Sequence, residues 1–148
     1  MNHDLLMQPA IDACLVAYQQ MEVPVGAAIY LNGDLISTGY NQKETLHSAT
    51  AHAEILAINT ACKVIGDWRL AGATLYVTAE PCFMCAGAII QARISEVVFG
   101  VAEPKFGGVV THANLFDMPK LNHRVKYMGG VREAEIREIM QQFFRELR

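Results

Sequence analysis

The chain has 148 residues, 52% of them hydrophobic and 18% charged, with a formal net charge of -3. That length bounds one domain, residues 1–148, with a core large enough to do without disulfide staples. The slight acidic balance excludes binding to nucleic acid through overall charge, so an RNA partner would need a local basic surface.

No apolar run approaches the roughly 18 residues of a membrane span, and Met1-Asn2-His3-Asp4 lacks the basic flank of a secretory signal. The chain is therefore read as cytoplasmic. From Asp4 to about Gln20, Ile11, Cys14, Leu15 and Tyr18 recur at the spacing of an amphipathic helix, whose regular part Pro9 limits. Val25 to Leu31 is a continuous small and apolar run, Asn32-Gly33 signals a type I′ hairpin, and Asp34 to Tyr40 is the return strand. Asn41 to Thr50 is polar and aperiodic, a loop delivering the chain to His52.

A helix is expected from about Ala51 to Ile65, burying Ile55, Leu56 and Ile58 and ending at Gly66. Thr74 to Thr78 is a short strand. Glu80-Pro81 opens another helix, which carries Cys82, Cys85 and Ile89 inward. Glu96 to Gly100 reads as a strand parallel to the first of this strand-helix-strand unit. Ala102 to Pro119 is irregular and expected to lie over a site. Arg124 to Met128 alternates as a strand, and from Arg132 onward Ile136, Ile139, Met140, Phe143, Phe144 and Leu147 mark a terminal helix. The sum is an α/β fold of three layers, with helices on both faces of a mixed five-stranded sheet.

Chemistry concentrates in two segments, Ala51-His52-Ala53-Glu54 and Pro81-Cys82-Phe83-Met84-Cys85. Cys82 and Cys85 at i, i+3 share one face of a helix start, where the macrodipole and a metal both favour thiolate. With His52 they make three ligands, and a zinc ion held by three protein ligands keeps its fourth position for water, the layout of a catalytic site. Glu54 is the expected proton carrier. Cys62 lies ten residues beyond His52, about 15 Å along a continuous helix, too far to share the ion. Cys14 has no motif context, so both are expected to be buried thiols. His47, in the loop, stays open as a fourth ligand. His3, His112 and His123 read as surface or turn residues, Phe143 and Phe144 as core-facing, and Arg145 and Arg148 as a solvated helix face. Val25-Gly26-Ala27 and Asn41 are positioned to line a base-sized slot.

The H-x-E…P-C-x-x-C pattern is the signature of zinc nucleobase deaminases. Together with Glu22-Val23-Pro24-Val25-Gly26-Ala27, Trp68-Arg69-Leu70, Asn122-His123-Arg124-Val125 and Phe143-Phe144-Arg145, it makes the chain resemble the bacterial tRNA-specific adenosine deaminases of the cytidine deaminase-like superfamily. The resemblance implies a homodimer that converts adenosine to inosine at the wobble position of a tRNA anticodon. It implies one zinc per subunit on His52, Cys82 and Cys85, proton transfer by Glu54, and base binding by Asn41, Ala53 and Val25. Lys43, Lys105, Asn122, Arg145 and Arg148 are its candidate RNA contacts. Glu103 departs from the Asp usual in this family, and the chain lacks the basic tail common there. Two other readings remain: a guanine-, cytosine- or nucleoside-type deaminase with the same zinc chemistry, and a zinc-stabilised binding module without turnover.

Overall fold

The computed structural model describes residues 2–147. Its centre is a five-stranded sheet in the order β2-β1-β3-β4-β5, formed by β1 (Gly26–Leu31), β2 (Asp34–Tyr40), β3 (Thr74–Ala79), β4 (Glu96–Val101) and β5 (Lys126–Met128). β1 runs antiparallel to both β2 and β3, whereas β3, β4 and β5 are parallel. The β1–β2 hairpin turns at Asn32 and Gly33, whose φ values of 53° and 84° are the paired positive angles of a type I′ turn.

Alternation along the strands builds the two outer layers. Leu75, Val77, Val97 and Phe99 point to one face and join Ala57, Ala61, Ala86 and Ile89 of helices α3 (Ala53–Ile65) and α4 (Phe83–Gln91). Tyr76, Val98 and Val101 point to the other, meeting Ala10 and Ile11 of α2 (Gln8–Gln19) and Ile136 of α5 (Glu133–Glu146). The expected three-layer mixed sheet is therefore present. The opening helix is broken, with α1 (His3–Leu6) separated from α2 by Met7, and Pro9 sits in the first turn of α2, where its missing N–H leaves no bond unmade.

α2 and α3 approach the sheet more closely than large side chains allow. A Cβ on Gly26 would stand 2.0 Å from the Ala10 carbonyl oxygen, and one on Gly39 would stand 2.5 Å from that of Ala53. The side of α3 that meets the sheet is accordingly small, with Ala53, Ala57 and Ala61 fully buried. Ile55 and Leu56, expected in the core, are only half-buried because that close approach turns them aside.

α5 departs from its periodic reading in a similar way. Ile136 and Phe143 are buried, but Phe144 is exposed. Adjacent helical residues project about 100° apart, so Phe143 and Phe144 cannot share one core-facing direction. No helix of the described residues is long and apolar enough to cross a membrane.

Candidate active site

The two chemical segments meet where α3 and α4 begin. His52 is the N-cap of α3 and Cys82 the N-cap of α4, both with extended backbone and neither using its side chain to cap its own helix. Those side chains turn instead toward each other. His52 Nδ1 lies 3.6 Å from Cys82 Sγ and 3.4 Å from Cys85 Sγ. Metal–ligand bonds of about 2.0 Å to nitrogen and 2.3 Å to sulfur at a tetrahedral angle require about 3.6 Å between the donor atoms. Both nitrogen–sulfur distances thus match an edge of a metal tetrahedron. All three atoms lie within 4.8 Å of one another, and this is the one such group of three among the described residues.

His47, open as a fourth ligand, is exposed and outside that group. Cys14 is buried, bonds the Pro24 carbonyl at 3.2 Å and is pushed up to about 12 by burial, so it is an inert core thiol. Cys62, expected to be buried, is only half-buried, on the flank of α3 turned away from the close sheet contact.

The protons of the triad are unevenly divided. The hydrogen bond from the Cys85 thiol, joined by the bond to His52, pulls Cys82 down to about 4, whereas Cys85 is driven well above the ordinary thiol value by that bond to Cys82 and by burial. His52 is raised, first by its bond to Cys82. A divalent cation bound to these three donors would displace the protons they share. Glu54, buried at 4% exposure, is pushed up to about 7, chiefly by burial and further by the Cys82 thiolate. Such a carboxyl can both take and give a proton near neutrality.

A cavity of about 650 Å³ opens onto this cluster, and Val25, Asn41, Ala53 and Glu54 all line it. Gly26 and Ala27, expected beside Val25, do not: they are buried in the sheet. The Asn41 amide donates to the Val23 carbonyl at 3.1 Å, and its oxygen accepts from the Lys43 N–H at 3.3 Å. One amide hydrogen and one lone pair remain for a ligand. Lys43 and Lys105 stand on the cavity wall, but Asn122 and Arg145 do not. Arg145 is exposed and pairs with Glu138 at 3.0 Å and Gln142 at 2.6 Å. Arg148 lies outside the described residues.

The Asn122-His123-Arg124 segment is held to the protein itself. His123 Nε2 contacts the Ile94 carbonyl oxygen at 2.7 Å, and the Arg124 guanidinium donates to the Met118 carbonyl at 2.6 Å. His123, read as a surface or turn residue, is a half-buried staple between this loop and the end of α4.

Sequence reasoning missed two buried carboxylates that hold the loops of the cavity. Glu80, 2% exposed, accepts N–H bonds from Glu103, Val109, Val110 and Thr111, and the Thr111 hydroxyl. Glu22, 1% exposed, accepts from Glu44 N–H at 3.1 Å and from Thr45 N–H and hydroxyl at 2.6 Å. Burial alone would raise both, yet the converging donors hold them below the ordinary carboxylate range. A signal existed only for Glu80, a charged residue standing between an apolar strand and a buried helix start. Met140 and Phe144, at i, i+4 on α5, also line the cavity, as does Phe106.

A family model described as MafB19-like deaminase matches residues 1–148. A tRNA-specific adenosine deaminase of Bacillus subtilis (strain 168) is 46% identical over 145 residues, 98% of this chain and 90% of the relative. A solved structure from work on A-to-I editing by tRNA:A34 deaminases at the wobble position of transfer RNA superposes with a TM-score of 0.86 at 41% identity, covering 90% of this chain and 96% of that one. A guanine deaminase from Nitrosomonas europaea superposes at 0.82 with 21% identity, over 95% of this chain and 83% of its own, and shares the fold.

Proposed function

The chain belongs to the family of tRNA-specific adenosine deaminases, and from that premise we propose that it hydrolyses adenosine to inosine at the wobble position of a tRNA anticodon, releasing ammonia. The observation that carries the reading is the convergence of His52 Nδ1 with two cysteine sulfurs beside the buried Glu54, at the floor of one cavity. A purely structural metal site gains nothing from a buried carboxyl tuned to about 7.

His52, Cys82 and Cys85 would hold one zinc ion per subunit, and the mixed nitrogen and sulfur donor set at tetrahedral spacing suits that ion. When bound, zinc supplies Lewis acidity that makes water a competent nucleophile at neutral pH. Glu54 would carry one proton from the attacking water to the ring nitrogen and then the proton of the newly added hydroxyl to the amine, so that the C–N bond breaks, the carbonyl forms and ammonia leaves. Burial keeps the carboxyl poised for both directions of transfer. Val25 and Ala53 wall the base, and Asn41 offers it the remaining donor and acceptor of its amide.

A base inside a helix cannot reach so enclosed a floor, so the target must be extruded, which is least costly in a single-stranded loop. Lys43 and Lys105 at the cavity wall would take flanking phosphates, with Asn122 and Arg145 as outer contacts and Arg148, outside the described residues, as a further candidate. The whole chain, residues 1–148, acts as one deaminase domain in the cytoplasm, where its RNA is met. Exposed apolar side chains such as Val64, Trp68 and Phe83 suit burial against a second copy, supporting a homodimer.

The test is ammonia release and inosine formation on an anticodon stem-loop, set beside free adenosine, guanine and cytosine. Turnover of the stem-loop alone is expected. Turnover of a free base or nucleoside with none on the stem-loop would overturn the substrate assignment while leaving the deamination chemistry.

A further inference from the structure

The loop from Glu103 to Thr111 is ordered by more than its attachment to Glu80. The Glu103 carboxylate turns back to accept the N–H groups of Lys105, at 2.7 Å, and Phe106. Gly108 N–H bonds the Pro81 carbonyl at 2.9 Å, and Gly107 bridges to Cys82 itself. The backbone is therefore fixed on both sides of residue 106, by Glu80 and the Glu103 carboxylate before it and by the start of α4 after it. Yet the Phe106 ring, held on this fixed backbone, is 59% exposed. An exposed apolar side chain is unremarkable by itself. This one lines the mouth of the cavity, next to Lys105 and across a space also walled by Phe144 and Lys43. Aromatic faces interleaved with cations are how proteins grip single-stranded RNA, by stacking bases and neutralising phosphates.

Depth decides which base the ring can take. The reacting group must reach Glu54, which is 4% exposed at the floor, whereas Phe106 stands at the solvent edge. The cavity of about 650 Å³ falls among those that hold drug-sized ligands, larger than a lone purine needs. We propose that Phe106 is a specificity-determining residue whose ring stacks on a base flanking the target nucleotide, with Lys105 on the phosphate between them. The inference rests on the RNA substrate proposed above. It also gives the Glu103 departure a role: its side chain closes the turn that projects the ring.

The experiment compares Phe106→Ala, Phe106→Leu and Phe106→Trp on the metal-loaded protein, using the anticodon stem-loop and versions made abasic at each flanking position in turn. Phe106→Ala is expected to raise KM about tenfold, within the range measured for removing one base–aromatic stack, with kcat held within about twofold. Phe106→Trp should restore KM and Phe106→Leu should not. At one flanking position the abasic penalty seen in the unsubstituted protein should disappear in Phe106→Ala. An unchanged KM, rescue by leucine equal to that by tryptophan, or equal abasic penalties in both proteins would overturn the proposal alone. So would an unchanged KM accompanied by an altered association state in sedimentation, which would assign the ring to a protein interface. No turnover of the stem-loop by the unsubstituted protein would overturn it together with the function on which it rests.

Discussion

The floor of the cavity and its rim both depend on buried glutamates, and they use them in opposite ways. Glu54 at the floor and Glu22 and Glu80 behind the rim are all at most 4% exposed, so burial pushes each toward its neutral form. Glu54 faces a thiolate and few donors, and it rises to about 7. Glu22 and Glu80 each collect three or more N–H and O–H donors, which hold them ionised below the usual range. The same residue at the same depth is left free to titrate near neutrality when under-satisfied and becomes an ionised loop anchor when saturated. Helix starts packed on the sheet fix the chemistry, whereas loops that have no core of their own are organised each around a single charge.

The sharpest way to break this contrast is to remove the floor carboxyl. Glu54→Ala should lower kcat by about 10³-fold, in the range of lost general acid–base catalysis, with metal content by elemental analysis unchanged. Metal loss in that variant would instead make Glu54 a structural support.

A smaller effect concerns pH. The folded pKa of Glu54 lies above its usual 4.5, so its stabilising contribution in metal-free protein is fully present below 4.5 and is lost as the pH rises through about 7. The loss should be about 3 kcal/mol, from 1.36 kcal/mol per pKa unit. Because Cys82, held at about 4 against its usual 9, contributes with the opposite sign over the same range, the increment is read as the difference between the unsubstituted protein and Glu54→Gln in urea unfolding at pH 5 and pH 8. Glu22 and Glu80 carry the opposite sign. Their folded values lie below 4.5, so their contribution is present above 4.5 and disappears as the pH falls through those lower values. Glu22→Gln should accordingly flatten part of the acid limb and leave the Glu54 loss between pH 5 and pH 8 untouched.

Glu80→Ala should cost about 2–3 kcal/mol, less than the sum of its bonds because water reaches the exposed side of the loop. Hydrogen exchange should accelerate at Val109, Val110 and Thr111 but not in α3. Lys105→Ala and Lys43→Ala should each weaken RNA binding several-fold and reduce the slope of log affinity against log salt by about 0.7, leaving metal content and melting unchanged. Least of all, Arg145→Ala removes an exposed ion pair with Glu138 and should change stability by no more than about 0.5 kcal/mol.

Local pattern alone supplied the β1–β2 hairpin, the helix starts to within two or three residues, the strand–helix–strand unit around α4 and the candidate metal ligands His52, Cys82 and Cys85. The hairpin and the helix starts depend on spacing within a few residues, the range at which turns, caps and i, i+3 neighbours are decided, whereas the grouping of His52 with Cys82 and Cys85 was read from the two-part motif. What periodicity could not decide is which apolar face meets the core and which meets the cavity. Met140 and Phe144 carry the same hydrophobic signal as Ile136 and Phe143, yet one pair lines the cavity and the other is packed in the interior or on its border. Nor could it tell Glu54 from Glu80. A carboxyl's protonation depends on how many donors converge on it from residues 20 to 30 positions away, and only the folded chain brings those donors together.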